Sequence, residues 1–381
     1  MRHRYRLALV TSLFNGIMLV LAQNAYADQS VKIGNAVPLT GGLAHIGKDV
    51  ENGARLAIEE INKSGLTIDG QKVTLVLDSQ DDAADPRQGT QIAQKLVDDG
   101  VVAVVGHLNS GVSIPASKIY NDANITMITP SATNPTLTLQ GYKVVYRMVG
   151  TDAQQGPALA RYASTGLQAK TVAVVDDSTA YGQGLADQFE KMAASLGIKV
   201  LSHDSTNDKA TDFRAVLTKI KGEQPDAIMY GGMDATAGPF AKQSKQLAIP
   251  STLLFGDGAC TPDLSKLAGN ATDAVICSEA GIALEKMPGG AAFVQKYQTR
   301  FDQPMQIYAP FAYDAVYIIV DAMKRAKSIS AAAITAAMPR TSHEGVTGHV
   351  QFDEHGDLKQ SSVSLFNYKD GKKRLMDIVK M

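Results

Sequence analysis

Small hydroxyl side chains follow two neighbouring apolar runs in the first third of the sequence. Ser110 comes shortly after the run at residues 101–105. Ser131 and Thr133 come directly after the run at residues 125–128. Short apolar runs of this kind are typical of parallel strands that are buried on both faces. Ligands of open α/β sheets bind beyond the carboxyl ends of the strands, so the pattern predicts a polar binding site of hydroxyl and backbone N–H groups.

The residue types near these loops do not indicate an enzyme. His107 precedes Ser110 by three residues, which is not the geometry of a nucleophile elbow, and the sequence has no G-x-S-x-G motif. His343, His349 and His355, near Glu344 and Asp353, lack both helical i, i+4 spacing and a zinc pattern, so we interpret them as separate loop histidines. We therefore expect no catalysis, no metal and no cofactor.

Alternating strand and helix patterns extend along the rest of the chain. Strands are predicted at 31–37 and 73–77, with an amphipathic helix at 47–61 between them. Asp78, Asp81, Asp82 and Asp85 lack the spacing of a calcium loop, and we interpret them as a strand-to-helix loop with acids at a helix start. After residue 149 a second series of strands and helices begins, and the chain ends with strands at 348–352 and 362–368. The pattern predicts two α/β lobes whose strand-end loops face one cleft.

The N-terminus has the three parts of an export signal. Arg residues occupy positions 2, 4 and 6, an apolar run covers 7–22, and Ala25, Tyr26 and Ala27 provide a cleavage site. A membrane anchor is the alternative, but the run is short for a span of about 20 residues. The chain has 37 basic and 38 acidic residues, and the signal would remove three Arg and no acid. The remaining mild acidity does not favour nucleic acid or an anionic membrane as a partner.

Two cysteines, Cys260 and Cys277, are the only ones in the sequence. In an oxidising periplasm an isolated pair favours one disulfide, which would stabilise the fold by about 2 to 4 kcal/mol. Two separate buried thiols remain the alternative, because spacing alone does not establish pairing.

Three motifs resemble those of the branched-chain amino acid binding proteins of bacterial ABC importers. They are GHLNSG at 106–111, ITPSATNP at 128–135 and YGQGLA at 181–186. The resemblance implies a type I periplasmic binding protein fold of class α/β, with two Rossmann-like lobes that contain parallel-core sheets and are joined by a three-segment hinge. It places residues 28–149 plus 280–346 in lobe 1 and residues 150–279 plus 347–381 in lobe 2.

The resemblance also implies roles for residues in the cleft. Ser110 and Thr133 match the residues that hold the ligand carboxylate, and the carbonyl of Ser131 and the hydroxyl of Thr133 match acceptors of the ligand ammonium group. Ala132 lies between them in the same loop, and Tyr181 matches a ligand-facing tyrosine of the second lobe. Charge-assisted hydrogen bonds of this kind are short and strong in a closed cleft.

Other positions depart from the family pattern. Gly258 occupies the position of the second-lobe carboxylate, and we expect the preceding Asp257 to take that role. Met233 and Ile46 stand where leucine-binding members have aromatic residues. These changes affect the pocket for the ligand side chain more than the site for its head group.

The function implied is that of a periplasmic solute-binding protein. We expect it to bind a branched-chain or related amino acid and to deliver it, as a monomer, to the permease subunits of an ABC importer. The alternative is a binding protein or sensor for small amides, urea-like solutes or aromatic acids on the same fold.

Overall fold

The structure is a computed structural model that describes residues 29–380. The predicted export signal at residues 1–27 lies outside the described residues. Within the described part, no helix is long and apolar enough to cross a membrane.

A six-stranded sheet with flanking helices forms the first lobe. Its strand order is β2-β3-β1-β4-β5-β6, and all neighbours are parallel except β2 and β3. The elements are β1 Gln29–Val37, α1 Ala44–Ser64, β2 Leu66–Ile68, β3 Gln71–Asp81, α2 Pro86–Asp98, β4 Ala103–Gly106, α3 Ser110–Asp122, β5 Thr126–Thr129, α4 Thr136–Leu139 and β6 Val145–Arg147. Strands β4 and β5 are buried throughout, as their apolar sequences predict.

A second lobe begins directly after β6. Its first elements are α5 Asp152–Thr165, β7 Thr171–Asp176, α6 Ala180–Ser195, β8 Lys199–Ser205, α7 Arg214–Glu223, β9 Ala227–Gly231, α8 Asp234–Gln246, β10 Thr252–Phe255, α9 Leu264–Ala268 and β11 Val275–Glu279. These five strands pair in parallel in the order β11-β10-β9-β7-β8. Both sheets therefore have parallel cores, which confirms the predicted fold class.

After β11 the chain returns to the first lobe and then crosses back. The returning elements are α10 Gly290–Phe301, α11 Ala309–Ala326, α12 Ala331–Ala337 and the hairpin of β12 His343–Gly345 and β13 Gly348–Val350. Phe293, Val316 and Ile319 from this segment share one apolar core with Ile33 and Val105 of the first sheet. The last strands, β14 Ser362–Lys369 and β15 Lys372–Lys380, add antiparallel to β11 in the second sheet. The chain thus passes between the lobes three times.

Local side-chain chemistry explains the acidic run before α2. Asp85 caps this helix by accepting from the backbone N–H of Arg87 at 2.8 Å and of Gln88 at 3.0 Å. Asp81 accepts from Leu39 N, and Asp82 hydrogen-bonds to the ring of His107 at 2.7 Å. The run is the strand-to-helix loop that its spacing predicts.

The C-terminal region differs from the prediction. The strand predicted at 348–352 is the second half of a small hairpin, and β15 was not predicted at all. Strand β15 is rich in basic residues and has no buried position, so it lacks the apolar alternation that indicates a strand. It is ordered instead by pairing with β14.

In the same lobe, Cys260 and Cys277 form the expected disulfide, with Cα atoms 5.4 Å apart.

Candidate functional site

The loops after β4 and β5 pack against each other at the edge of the first sheet. Ser110 is the first residue of α3, and its Oγ accepts from the backbone N–H of Asn134 at 3.2 Å. The Ser131 hydroxyl donates to the carbonyl of Leu108 at 2.7 Å. Thr129, at the end of β5, links the same loops, because its hydroxyl donates to the carbonyl of His107 at 2.9 Å. The structure therefore brings the predicted first-lobe residues together.

A buried arginine sets the shape of the second loop. The guanidinium of Arg147, at the end of β6, donates to the carbonyls of Ala132 at 2.6 Å and Asn134 at 3.0 Å. It also donates to the Thr138 hydroxyl at 2.8 Å and to the carboxylate of Asp357 at 2.8 Å. Because Arg147 is fully buried and its planar fork has several fixed donors, it holds this loop in one conformation.

Thr133 contacts a buried carboxylate at the start of the second lobe. The carbonyl of Thr133 accepts from the backbone N–H of Asp152 at 2.9 Å. The Thr133 hydroxyl and both carboxylate oxygens of Asp152 are buried and make no hydrogen bond of normal geometry among residues 29–380, although the Thr133 hydroxyl is near enough to oppose the rise of the Asp152 pKa. Burial is the largest cause that raises the pKa of Asp152, and the nearby charge of Asp257 is the second; the result is a pKa of about 8. A charge that is buried without a partner is costly, so this site favours a bound cation or a proton.

Asp257 lies beyond β10 and accepts hydrogen bonds from side chains of both lobes. It accepts from the hydroxyl of Tyr181 at 2.9 Å, from the hydroxyl of Tyr308 at 2.6 Å and from the side-chain amide of Gln155 at 3.0 Å. Gln155 is oriented by Ser278, whose hydroxyl donates to the Gln155 side-chain oxygen at 2.8 Å. Burial raises the pKa of Asp257 even though these donors oppose the shift. Asp257 is therefore a buried carboxylate that side chains of both lobes contact.

Met233, Gly258 and Tyr181 form a tight group beside Asp257. A Cβ atom at Gly258 would lie 2.5 Å from the Met233 sulfur and 3.0 Å from the Tyr181 ring. The backbone N–H of Gly258 donates to the Tyr181 hydroxyl at 3.0 Å. A side chain at position 258 would therefore displace Met233 or Tyr181 from this arrangement. Met233 packs against the apolar cores of both lobes.

Side chains of the two lobes also touch directly. Asn134 donates to the carbonyl of Ala180 at 2.6 Å, and Tyr308, on the segment that returns to the first lobe, donates to Asp257. His45 in α1 hydrogen-bonds to Asp234 in α8 at 2.7 Å. The cleft is therefore closed in this structure.

The chemistry of the cleft is that of a binding site. Hydroxyl groups, backbone donors and two carboxylates line it, and these groups suit hydrogen bonds to a polar solute. In the described part of the chain, no group of three or more His, Cys, Asp or Glu side chains is placed to hold a metal. His343, His349 and His355 contact different acids, namely Asp321, Glu344 and Glu354.

Sequence reasoning missed four residues that shape the site. Asp152 is at a helix start, where an acid has an ordinary electrostatic explanation. Tyr308 reaches Asp257 because the lobes are closed, and Gln155 reaches it within the second lobe from about a hundred residues away in the chain. Arg147 could have been found from the sequence, because an arginine at the end of an apolar strand needs buried acceptors.

Two α/β lobes that close on a polar cleft define a solute-binding protein. A family model described as periplasmic binding protein matches residues 30–373. The chain is 33% identical over 347 residues to the leucine-, isoleucine-, valine-, threonine- and alanine-binding protein of Pseudomonas aeruginosa. The alignment covers 91% of this chain and 92% of that protein. It is 36% identical over 356 residues to the Leu/Ile/Val-binding protein BraC3 of Rhizobium johnstonii, and this alignment covers 93% of this chain and 95% of that protein.

A solved structure agrees with these relatives. The branched-chain amino acid transporter substrate binding protein LivJ from Streptococcus pneumoniae, in complex with isoleucine, superimposes with a TM-score of 0.83 at 27% identity. The match covers 93% of this chain and all of the other. The chain belongs to the periplasmic binding protein family, as its motifs predict. It is therefore a binding protein and not an enzyme.

Proposed function

We propose that this protein binds leucine, isoleucine, valine or a closely related amino acid in the cleft and delivers it to the permease of an ABC importer. The names of the relatives support this class of ligand. The observation that carries the proposal is the pair of buried carboxylates, Asp152 and Asp257, beside a row of hydroxyl groups. An α-amino acid has the cation that these acids favour and the anion that the hydroxyl groups and backbone donors can bind.

Each part of the ligand head group has a site in this proposal. Ser110 and Thr133 bind the carboxylate, and α3 starts at Ser110, so its free backbone donors add to the attraction. The ammonium group lies between the Ser131 carbonyl, the Thr133 hydroxyl and Asp257. Because Asp257 already accepts three hydrogen bonds, we assign Asp152 as a further acceptor for the ammonium group.

The ligand side chain lies against Ala132, Met233, Gly258 and the ring of Tyr181 in this proposal. Burying a leucine-sized side chain contributes about 1.5 to 3 kcal/mol. Met233 is unbranched and adaptable, so a pocket that it lines suits several aliphatic side chains.

The proposal includes a hinge and a cellular location. Lobe 1 comprises residues 28–149 and 280–346, and lobe 2 comprises residues 150–279 and 347–381. The lobes open and close about the three crossings, and a ligand that contacts both lobes shifts the population towards the closed form. After cleavage of the export signal, the protein acts in the periplasm as a monomer that docks on the permease.

A thermal-shift screen tests the proposed ligand class. The protein is stripped of ligand by unfolding and refolding, then heated with each of the twenty amino acids, small amides, urea or benzoate. A ligand at a hundred times its dissociation constant stabilises the folded form by about 2.7 kcal/mol. We expect leucine, isoleucine or valine to raise the melting temperature. A response to an amide or to benzoate alone would contradict the proposal.

A further inference from the structure

One hydrogen bond between the lobes involves a titratable pair outside the head-group site. His45 Nε2 in α1 lies 2.7 Å from Asp234 Oδ2 at the start of α8. The Asp234 side chain is fully buried and also accepts from the Thr261 hydroxyl at 2.6 Å, whereas 26% of the His45 side chain is exposed. Among the described residues, neither side chain hydrogen-bonds to the Ser, Thr or Asp residues assigned to the ligand. The contact therefore links the two lobes without touching the head-group site.

Every charged group that acts on His45 in the closed form is an acid. Asp234 and Asp263 approach from the second lobe, and Asp49 lies one helical turn away in α1. Burial alone would lower the pKa of His45, but the hydrogen bond and charge of Asp234, followed by the charges of Asp263 and Asp49, raise it above 6.5. When the cleft opens, His45 loses Asp234 and its pKa returns towards the ordinary value. Closure is therefore coupled to proton uptake.

We propose that His45 and Asp234 are positioning residues that latch the closed cleft and make ligand release faster as the pH rises. This inference rests on the proposed function, because it concerns retention of the ligand of the same cleft. A protonated His45 forms a charge-assisted hydrogen bond to Asp234, and a neutral His45 forms only a weaker one.

The sign of the pH effect follows from the raised pKa of His45 in the closed form. Below about pH 6.5 His45 is protonated in both forms, and the latch has its full strength. The charge contribution is lost as the pH rises through the pKa of the closed form. Because the pair is partly exposed, we expect affinity to fall by about two- to fivefold. The change should appear in the dissociation rate, since the latch holds the closed form and the ligand leaves only when the cleft opens.

The test measures dissociation of radiolabelled leucine in a filter-binding chase between pH 5.5 and 8.5. The test variant is His45→Gln, which keeps a side-chain N–H donor but does not titrate. The matched control is His203→Gln, because His203 pairs with Asp176 at 2.8 Å within the second lobe and its pKa is also raised. The titration of Asp152 is common to all three proteins, so only the difference from wild type is assigned to His45.

As the pH rises, we expect leucine release from the wild type and from His203→Gln to become faster. This increase in rate should be larger than the increase in His45→Gln. The same pH profile in the wild type and in His45→Gln would overturn the latch while leaving leucine binding intact. Failure of the wild type to bind any branched-chain amino acid would instead overturn the proposed function. Small-angle scattering of the unliganded proteins then tests the latch. If the latch exists, the wild type should become more compact as the pH falls, and His45→Gln should not. Equal scattering of the two proteins at every pH would overturn it.

Discussion

Replacing Asp152 by asparagine should stabilise the unliganded protein and weaken ligand binding at the same time. The ordinary pKa of this carboxyl group is 3.8, and burial, with the charge of Asp257, raises it to about 8. At pH 7 the folded state must therefore keep a proton that the unfolded state releases, at a cost of about 4 kcal/mol. Asparagine avoids this cost but needs hydrogen bonds of its own, so we expect a net gain of roughly 2 to 4 kcal/mol.

The pH dependence of this gain has a definite sign. A carboxyl group whose pKa is raised on folding contributes no penalty below about pH 4, and for Asp152 the penalty grows between about pH 4 and pH 8 and is constant above that. Urea denaturation at several pH values should therefore show Asp152→Asn and wild type close together at pH 4 and well separated at pH 8. Calorimetric titration with leucine should show affinity about ten- to a hundredfold lower in the variant, because the ammonium group loses a charged acceptor.

Asp177 provides a matched control for this experiment. Its Oδ2 is buried without a partner among residues 29–380, but its Oδ1 accepts from the N–H and hydroxyl of Thr179. Burial raises the pKa of Asp177 to about 6, so Asp177→Asn should give a smaller stability change and unaltered leucine affinity. The reasoning would be refuted if Asp152→Asn lowered stability at pH 8, or if it bound leucine as tightly as wild type.

Three further predictions concern the same site and its scaffold. Thr133→Val removes a buried hydroxyl that makes no hydrogen bond of normal geometry among residues 29–380, so unfolding free energy should change by less than about 1 kcal/mol while calorimetry shows leucine affinity falling at least tenfold. Converting Cys260 and Cys277 to alanine should lower the free energy of unfolding by about 3 kcal/mol in urea without changing affinity. Gly184→Ala would place a Cβ 2.4 Å from the Asn134 side chain and should weaken binding about fivefold by hindering closure, an effect that Asn134→Ala should largely remove.

The sequence pattern indicates local features of this protein well. The apolar runs before the two hydroxyl loops predicted β4 and β5, and the acidic run that ends at Asp85 predicted a helix start. These features depend on residues close together in the chain, where propensity and capping dominate. The two-lobe division follows from the restart of the same pattern.

Features that depend on distant residues were not predictable in the same way. Tyr308 reaches Asp257 only because the chain returns to the first lobe after β11, and nothing near residue 308 indicates that partner. Asp152 has the sequence of an ordinary helix start, and its unusual pKa comes from burial by both lobes. Strand β15 has too few apolar residues for its own pattern and depends on pairing with β14.

Calorimetric titration of the ligand-stripped protein with leucine and two of its analogues tests the proposed site most directly. Isoamylamine lacks the carboxylate of leucine, and isocaproate lacks its ammonium group, while both keep the aliphatic side chain. If Ser110 and Thr133 bind the carboxylate and Asp152 and Asp257 bind the ammonium group, leucine should bind at least about a hundredfold more tightly than either analogue. Equal binding of isocaproate and leucine, or no binding of leucine, would contradict recognition of an amino acid head group in this cleft.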